Sequence, residues 1–291
     1  MSQTYQIFTD SSCDLPQERA DAYELHVVPL TVQMNGKSYR NELDGREIAF
    51  SDFYAALRAG TPASTSAVNP EEFRTEMEPT LQAGVDILYI GFSSGLSTTY
   101  QSACIAAAEL REKYPKRTIL TVDSLCASLG QGLLVHHAVQ KKNAGASIEE
   151  VAQYLEDNKL HLCHWFTVED LMFLKRGGRV SAATALLGTA LQIKPVMHVD
   201  NDGHLINVSK ARGRKASISA LVDRMEKTGI DIASQTVFIS HGDCQADAEY
   251  AAELMRTRLG VKDILINYVG PVIGSHSGPG TLAIFFLGSE R

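Results

Sequence analysis

The fold is decided by residues 85–123, which read VDILYIGFSSGLSTTYQSACIAAAELREKYPKRTILTVD. Residues 85–92 are a strongly apolar run of strand length, and residues 96–114 are a long alanine-rich helical segment. A second β-prone run, residues 118–122, follows and stops at Asp123. A strand, a helix and a strand in this order predict a parallel sheet covered by helices.

The first half of the chain extends this pattern and adds a hairpin. Asn35-Gly36 follows a β-prone run, and this pair favours a tight hairpin because both residues tolerate a positive φ. Two helices are predicted after the β-prone run at residues 118–122, and a break near residues 143–147 separates them. The other predicted elements are strands over residues 6–9 and 25–32 and a helix over residues 48–59. Together they predict an N-terminal α/β domain, residues 1–160, built on a parallel sheet.

The second half predicts a different arrangement. Asn201-Asp202-Gly203 separates two β-prone runs, which indicates a second hairpin. The predicted strands cover residues 160–168, 193–199, 205–210, 236–240, 263–268 and 281–287, with a helix on each side of 236–240. A hairpin combined with alternating helices and strands indicates an α+β domain with a mixed sheet over residues 161–291. The fold class predicted for the whole chain is therefore α/β, in two domains.

Composition and charge narrow the function classes. The 291 residues are 44% hydrophobic and 21% charged, which is typical of a globular protein. No apolar run approaches the ~18 residues that cross a bilayer, and the N-terminus does not resemble a secretion signal. A net charge of −7 argues against nucleic-acid binding, which needs a basic face. Five scattered cysteines without a C-x-x-C pair fit free thiols in a reducing cytoplasm.

Two clusters of hydroxyl and carboxyl groups lie near predicted strand ends. Asp10-Ser11-Ser12-Cys13-Asp14 follows the first strand, at the edge of a parallel sheet where ligands usually bind. Serine and aspartate also cap helices, and we favour a cap that borders a site. Ser64-Thr65-Ser66 is predicted to lie in a loop before a helix that begins near Pro70. For this cluster, turn formation and ligand binding both remain open.

The segment Gly91-Phe92-Ser93-Ser94-Gly95 matches G-x-S-x-G, the nucleophile turn of α/β-hydrolases. A serine nucleophile needs a histidine base, for which His241 and His276 are available, but the sequence contains no His-Gly-Gly-Gly oxyanion segment. The same strand-to-helix turn also suits a carboxylate or phosphate, held by backbone N–H groups and serine hydroxyls. The pattern therefore indicates either a hydrolase or an anion site.

Several histidines outside this turn could also contribute to a site. His276 lies in the glycine- and proline-rich residues 270–280, which predict a specialised loop close to a ligand. Its imidazole can donate to an anion or accept from a hydroxyl. His161, Cys163 and His164 have metal-ligand chemistry, but in a strand His164 points away from the other two. We therefore expect no metal site.

Two basic clusters stand out in this acidic chain, at residues 175–179 and 210–215. In an extended stretch Lys210, Arg212 and Arg214 share one face, because side chains alternate. Such a face suits a phosphate group or an acidic partner, and it is also common on a solvated strand. Because two such clusters occur in an acidic chain, a functional role is favoured over a solvated surface.

Taken together these segments resemble the DegV family, and the match is collinear over nearly the whole chain. The segments that carry it are residues 8–16 (FTDSSCDLP), 64–66 (STS), 93–97 (SSGLS), 100–103 (YQSA), 175–179 (KRGGR) and the loop around His276. Two segments depart from the family's usual pattern. Thr65-Ser66-Ala67-Val68 stands where Thr-Ser-Gln-Pro is frequent, and Ser97-Thr98-Thr99 stands where Ser-Gly-Thr is commoner.

The resemblance implies a fatty-acid-binding subunit of a bacterial fatty acid kinase, with the ligand between two domains. In such proteins a separate subunit supplies the ATP site and phosphorylates the bound carboxylate, so the binding subunit is not itself an enzyme. Carried across, the resemblance assigns the carboxylate to Thr65, Ser93 and Ser94, with His276 nearby. It assigns kinase docking to the basic stretch around Arg212.

Three function classes follow. The favoured one is a cytoplasmic protein, without cofactor or metal, that holds a long-chain fatty acid in an apolar tunnel and presents it to a kinase subunit. Hydroxyls, backbone N–H groups and an imidazole suit a carboxylate that must stay reactive, since they stabilise it without a tight ion pair. The alternatives are a serine hydrolase that cleaves acyl esters through Gly91–Gly95 and a binding module for another carboxylated lipid.

Overall fold

The computed structural model describes residues 4–181 and 192–291, which form thirteen strands and ten α-helices. The strands are β1 Tyr5–Asp10, β2 His26–Val28, β3 Thr31–Met34, β4 Lys37–Arg40, β5 Ala63–Ser66, β6 Asp86–Gly91, β7 Ile119–Asp123, β8 Leu162–Thr167, β9 Ile193–Val199, β10 Leu205–Arg212, β11 Thr236–His241, β12 Asp263–Tyr268 and β13 Leu282–Leu287. The helices are α1 Gln17–Ala22, α2 Phe50–Arg58, α3 Pro70–Gln82, α4 Thr99–Lys113, α5 Leu129–Asn143, α6 Ile148–Asn158, α7 Leu171–Arg176, α8 Arg214–Thr228, α9 Gln245–Leu259 and α10 Pro271–Ser277.

The parallel sheet predicted for the first half is present, with the strand order β2-β1-β6-β7. All of its strand pairs are parallel, so the crossover from β6 through α4 to β7 is confirmed. Helix α4 begins at Thr99 rather than Leu96. The cause is a turn in which the N–H groups of Leu96 and Ser97 donate to the carbonyl of Ser93. This turn leaves the serines of the segment at the carboxyl edge of the sheet.

A small antiparallel sheet, ordered β4-β3-β5, lies in the same half of the chain. The predicted hairpin is confirmed, since Asn35 and Gly36 join β3 to β4 with φ values of 54° and 72°. The loop predicted for Ser64-Thr65-Ser66 is wrong, because these residues belong to β5 and Thr65 pairs with Val32 of β3. Strand pairing therefore holds Thr65 in one position, and alternation gives it the opposite face from its two serine neighbours.

The mixed sheet predicted for the second half has six strands in the order β10-β9-β8-β13-β11-β12. Among its described strands only β11 and β12 pair in parallel, and the β9–β10 hairpin is confirmed. The loop predicted over residues 270–280 is corrected, since Pro271–Ser277 form helix α10. Pro271 at the first helical position and extended Gly270 before it begin the helix, and Gly278, with φ 79°, follows its last residue.

The two larger sheets stack with helices between and outside them. Helix α5 packs between the sheets, where its leucines join one hydrophobic core with Leu88 of β6 and Phe285 of β13. Helices α3 and α4 cover the outer face of the parallel sheet, and α8 and α9 cover that of the mixed sheet. The chain is therefore a mixed α/β protein with a parallel-sheet half and a mixed-sheet half. The domain division at residue 160 stays a prediction.

In residues 4–181 and 192–291, no helix combines the length and the apolar character that a membrane span requires.

Candidate functional site

A mainly apolar cavity lies between the mixed sheet and the carboxyl edge of the parallel sheet. It is narrow: water-sized space within it amounts to about 50 Å³, inside about 520 Å³ of space between atoms that is partly open to solvent. Phe166, Ala283 and Ser240 form one row of its wall, because they pair side by side across β8, β13 and β11. The other apolar wall residues are Phe92, Leu96, Ala127, Leu174, Leu205, Val269 and Ile273. Such a cavity suits a ligand with a long apolar part.

The cavity meets the surface at His276 and Arg179, which also line two surface grooves. One of these grooves is lined by Thr65 and Ser94 as well. Thr65 Oγ1 and His276 Nε2 lie 2.8 Å apart. The structure therefore brings Thr65, Ser94 and His276 together along one groove that adjoins the cavity.

The protonation of His276 decides what this pair offers to a ligand. Burial, with a smaller contribution from nearby Arg179, lowers the pKa of His276 to about 4, so the imidazole is neutral at pH 7. When Nε2 carries the proton, it donates to Thr65 Oγ1. The hydroxyl proton of Thr65 is then free to donate to a third group. The Thr65 hydroxyl can thus donate a hydrogen bond to an anion in the groove.

Arg179 is the residue that the sequence reasoning left out of the site. It was noted only as part of the basic cluster at residues 175–179, and the carboxylate was expected to meet neutral donors. The structure adds a cation at the opening, where the Arg179 side chain donates to the carbonyl of Gly177. Burial lowers the pKa of this guanidinium, yet arginine stays charged at neutral pH. The turn at Gly177 and Gly178 was the available signal, since it carries the chain back towards the cavity.

Ser93 is placed differently from Ser94. It is fully buried, and its Oγ donates to the carbonyl of Gly203 at 2.9 Å and accepts from the N–H of Gly95. The N–H of Ser94 donates to the carboxylate of Asp123, and that of Ser93 donates to a carbonyl. The backbone donors of this turn are thus engaged within the protein, so the expected anion site cannot rest on them. The exposed hydroxyl of Ser94 remains available.

The same contacts bear on the hydrolase interpretation. In the part of the chain that the structure describes, neither Ser93 nor Ser94 is hydrogen-bonded to a histidine. His276 bonds to Thr65, and His241 accepts from the N–H of Cys244. The arrangement therefore does not favour a serine nucleophile.

The turn between β9 and β10 packs against the turn that contains Ser93. Gly203 has φ 79°, and a Cβ there would stand 2.1 Å from the Oγ of Ser93. Only glycine allows that approach without displacement. Leu205, at the start of β10, then lines the cavity. The hairpin thus closes the site from the mixed-sheet side.

The cluster after β1 has a structural role. The Asp10 carboxylate is buried and accepts from the N–H of Ser12, the hydroxyl of Tyr89 and the N–H of Phe92. These bonds tie the carboxyl ends of β1 and β6 together. The cap interpretation is therefore confirmed for Asp10.

The predicted basic face holds for only two of its three residues. Lys210 and Arg212 are exposed on β10, which is an edge strand next to β9. The prediction for Arg214 is wrong, because the strand ends at Arg212 and Arg214 begins α8. Its Nε donates to Asp247 at 2.8 Å, so this cation is used within the fold. Ile206 and Val208 of the same strand are also exposed, but an irregularity between Asn207 and Ser209 puts Ile206 on the opposite sheet face from Lys210 and Arg212.

Metal-ligand chemistry is found in two places. His161 faces the carbonyl of Gly288, Cys163 is buried against the C-terminal residues, and His164 lines the cavity. In the described ranges, Asp200, Asp202 and His204 bring ligand atoms within 4.8 Å of one another. These groups lie largely at the surface, and exposed acidic clusters are common without an ion. They therefore do not define a metal site.

These features define a class of α/β proteins with two sheet-containing halves and an apolar cavity that opens through polar side chains. The chain belongs to the DegV family, whose sequence model, described as "Uncharacterised protein, DegV family", matches residues 4–289. A DegV domain-containing protein of Clostridium perfringens is 47% identical over 285 residues, 98% of each chain. One from Streptococcus pyogenes is 37% identical over 288 residues, 99% of each chain.

Solved structures of the same family share the fold. A DegV family protein of Thermus thermophilus, described for its fatty acid binding, superposes with a TM-score of 0.85 at 33% identity. DegV of Bacillus subtilis, described as a fatty acid binding protein, superposes with a TM-score of 0.83 at 28% identity. Each comparison covers 99% of this chain and all of the other. Relatives with this fold thus bind fatty acids.

Proposed function

We propose that this protein binds one long-chain fatty acid, with the carboxylate at Thr65, Ser94 and His276 and the acyl chain in the cavity. The observation that carries this is the Thr65–His276 pair at the junction between the apolar cavity and an open groove. The fatty-acid-binding relatives support it. Ser93 acts here as a positioning residue, because its hydroxyl supports the turn beside Ser94.

The energetics suit such a ligand. Burying the acyl chain contributes about 0.8 kcal/mol per methylene, part of which is offset by the loss of ligand freedom. The carboxylate keeps hydrogen bonds at the opening and meets the positive charge of Arg179. Because the head group stays in a groove rather than in the cavity, a second protein can reach it.

The protein then presents the carboxylate to a separate ATP-binding kinase subunit in the cytoplasm, which forms the acyl phosphate. It is the substrate-presenting subunit and not the catalyst. Lys210 and Arg212, which are exposed on the edge strand β10, form the docking surface. This positively charged surface suits an acidic partner surface.

The test is fatty-acid titration of matched single variants. Thr65→Ala or Ser94→Ala removes one donor to a charged group, a loss of about 1.5–3 kcal/mol, or roughly ten- to a hundred-fold in Kd. Ser66→Ala, on the opposite face of β5, is the control and should bind like the wild type. Unchanged oleate and palmitate affinity in the first two variants would place the carboxylate elsewhere. Tighter binding of another carboxylated lipid would redefine the ligand.

A further inference from the structure

The wall of the apolar cavity contains a histidine that the proposed head-group site does not use. His164 lies on β8, two residues before Phe166, so both side chains share the sheet face that lines the cavity. Its ring is 5% exposed and packs 4.6 Å from the ring of Phe285, centroid to centroid. Within the described residues its Nδ1 has no hydrogen-bond partner.

Two hydroxyls face the same space. The Oγ of Ser277, at the end of α10, is buried and has no partner in the described part of the chain. Ser240 Oγ lies 3.0 Å from Ser128 Oγ, whose single proton is donated to the Asp14 carboxylate, so Ser240 donates to Ser128 and its own oxygen remains available to accept. His164, Ser240 and Ser277 line the cavity but neither of the two surface grooves. The polar groups are therefore separate from the opening.

A plain hydrocarbon chain leaves these groups unsatisfied. A buried polar atom that loses its partner costs roughly a factor of ten or more in stability or affinity. Burial, with smaller contributions from Arg291 and His198, holds the pKa of His164 well below its usual value, so the ring is neutral. A neutral imidazole has one donor and one acceptor nitrogen. A hydroxyl also donates and accepts, so the two are complementary.

We propose that the cavity selects fatty acids that carry a hydroxyl along the acyl chain, with His164 as the specificity-determining residue. This inference rests on the proposed fatty-acid binding and names the substrate class more closely. The hydroxyl exchanges a hydrogen bond with the imidazole, and the neighbouring Phe166 and Ala283 contact the adjoining methylenes. A site built to bond a hydroxyl discriminates strongly against the analogue that lacks it, because the site's own polar group is left unpaired.

The experiment compares lipids that differ by one hydroxyl. The affinity of the protein for stearate is compared with its affinity for hydroxystearates that carry the hydroxyl on either side of mid-chain. The affinity for oleate is compared with that for ricinoleate. We expect at least one hydroxylated lipid to bind the wild type about tenfold or more tightly than its parent. His164→Phe keeps the ring packing but removes both nitrogens, so this preference should fall to near unity while stearate binds equally well or better.

The outcomes separate the two proposals. Equal or tighter binding of the parent lipids to the wild type overturns the hydroxyl preference, and this measurement needs no variant. A preference that survives in His164→Phe overturns the role of His164. Should His164→Phe unfold, Ser277→Ala is the second probe of the same cavity wall. If the wild type shows only a weak preference for the hydroxylated lipid and Ser277→Ala shows the same preference, the result counts against the proposal. If no fatty acid binds the wild type at all, the proposed function fails instead.

Discussion

Gly177 gives the sharpest test of the head-group site, because its Cα lies directly against the His276 ring. A Cβ at Gly177 would stand 2.2 Å from His276 Nδ1, whereas ordinary contacts begin at 3.4 Å, so the ring must move by about 1.2 Å in Gly177→Ala. The Gly177 backbone is right-handed, with φ −72°, and accepts alanine without strain. The substitution therefore acts through the imidazole.

The expected effect follows from the bond that moves. A shift of that size is large against the 2.8 Å separation of Thr65 Oγ1 and His276 Nε2, so the pair is broken. Loss of one hydrogen bond to a charged group costs about 1.5–3 kcal/mol, which weakens fatty-acid binding roughly ten- to a hundred-fold. The free energy of unfolding should also fall by about 1–3 kcal/mol, because the displaced ring costs stability even though alanine suits this backbone position.

Gly178→Ala is the matched control. Gly178 has φ 72°, but a Cβ there meets nothing within 4 Å. This variant should lose about 1–2 kcal/mol of stability through backbone strain and keep its fatty-acid affinity. Oleate titration and thermal unfolding of both variants decide the matter. If Gly177→Ala binds like the wild type, or if it loses stability and keeps affinity, the imidazole does not hold the ligand.

Three further predictions concern other parts of the molecule. Ser93→Ala leaves the buried carbonyl of Gly203 without its donor and should lower the free energy of unfolding by about 1–3 kcal/mol, read by urea denaturation. Arg212→Glu should keep fatty-acid affinity and reduce acyl-phosphate formation with a cognate kinase subunit; a loss of both would refute docking. Burial raises the pKa of Asp14 from 3.8 to about 7, so the folded state holds a proton that the unfolded state has released. Stability should fall by about 1.4 kcal/mol per unit as pH rises between these values, and Asp14→Asn, which tolerates the same positive φ, should flatten that slope.

Much of the fold could be predicted because it follows from local patterns. The apolar run at residues 85–92 and the Asn35-Gly36 pair each determine structure within a few residues, and both predictions are confirmed. Thr65 was misassigned to a loop, since its strand depends on pairing with distant Val32 rather than on its own sequence. Helix α10 was missed because its glycine and serines have low helix propensity, and tertiary packing overrides that preference.

The site could be predicted in part. Thr65, Ser94 and His276 were assigned through the family resemblance, and the structure brings them together, although 211 residues separate Thr65 from His276 along the chain. Arg179 was missed because a basic cluster does not show which of its members turns inwards. Arg214 was misplaced because Gly213, with φ 89°, ends the strand and starts a helix, and an alternation argument assumes continued extended backbone.

The most direct test of the central claim is mass spectrometry of lipid extracted from the purified protein. The account predicts one long-chain fatty acid per chain, and after delipidation it predicts one-to-one rebinding of oleate or palmitate that Thr65→Ala weakens. An extract without lipid, combined with no binding of either fatty acid, would contradict the account.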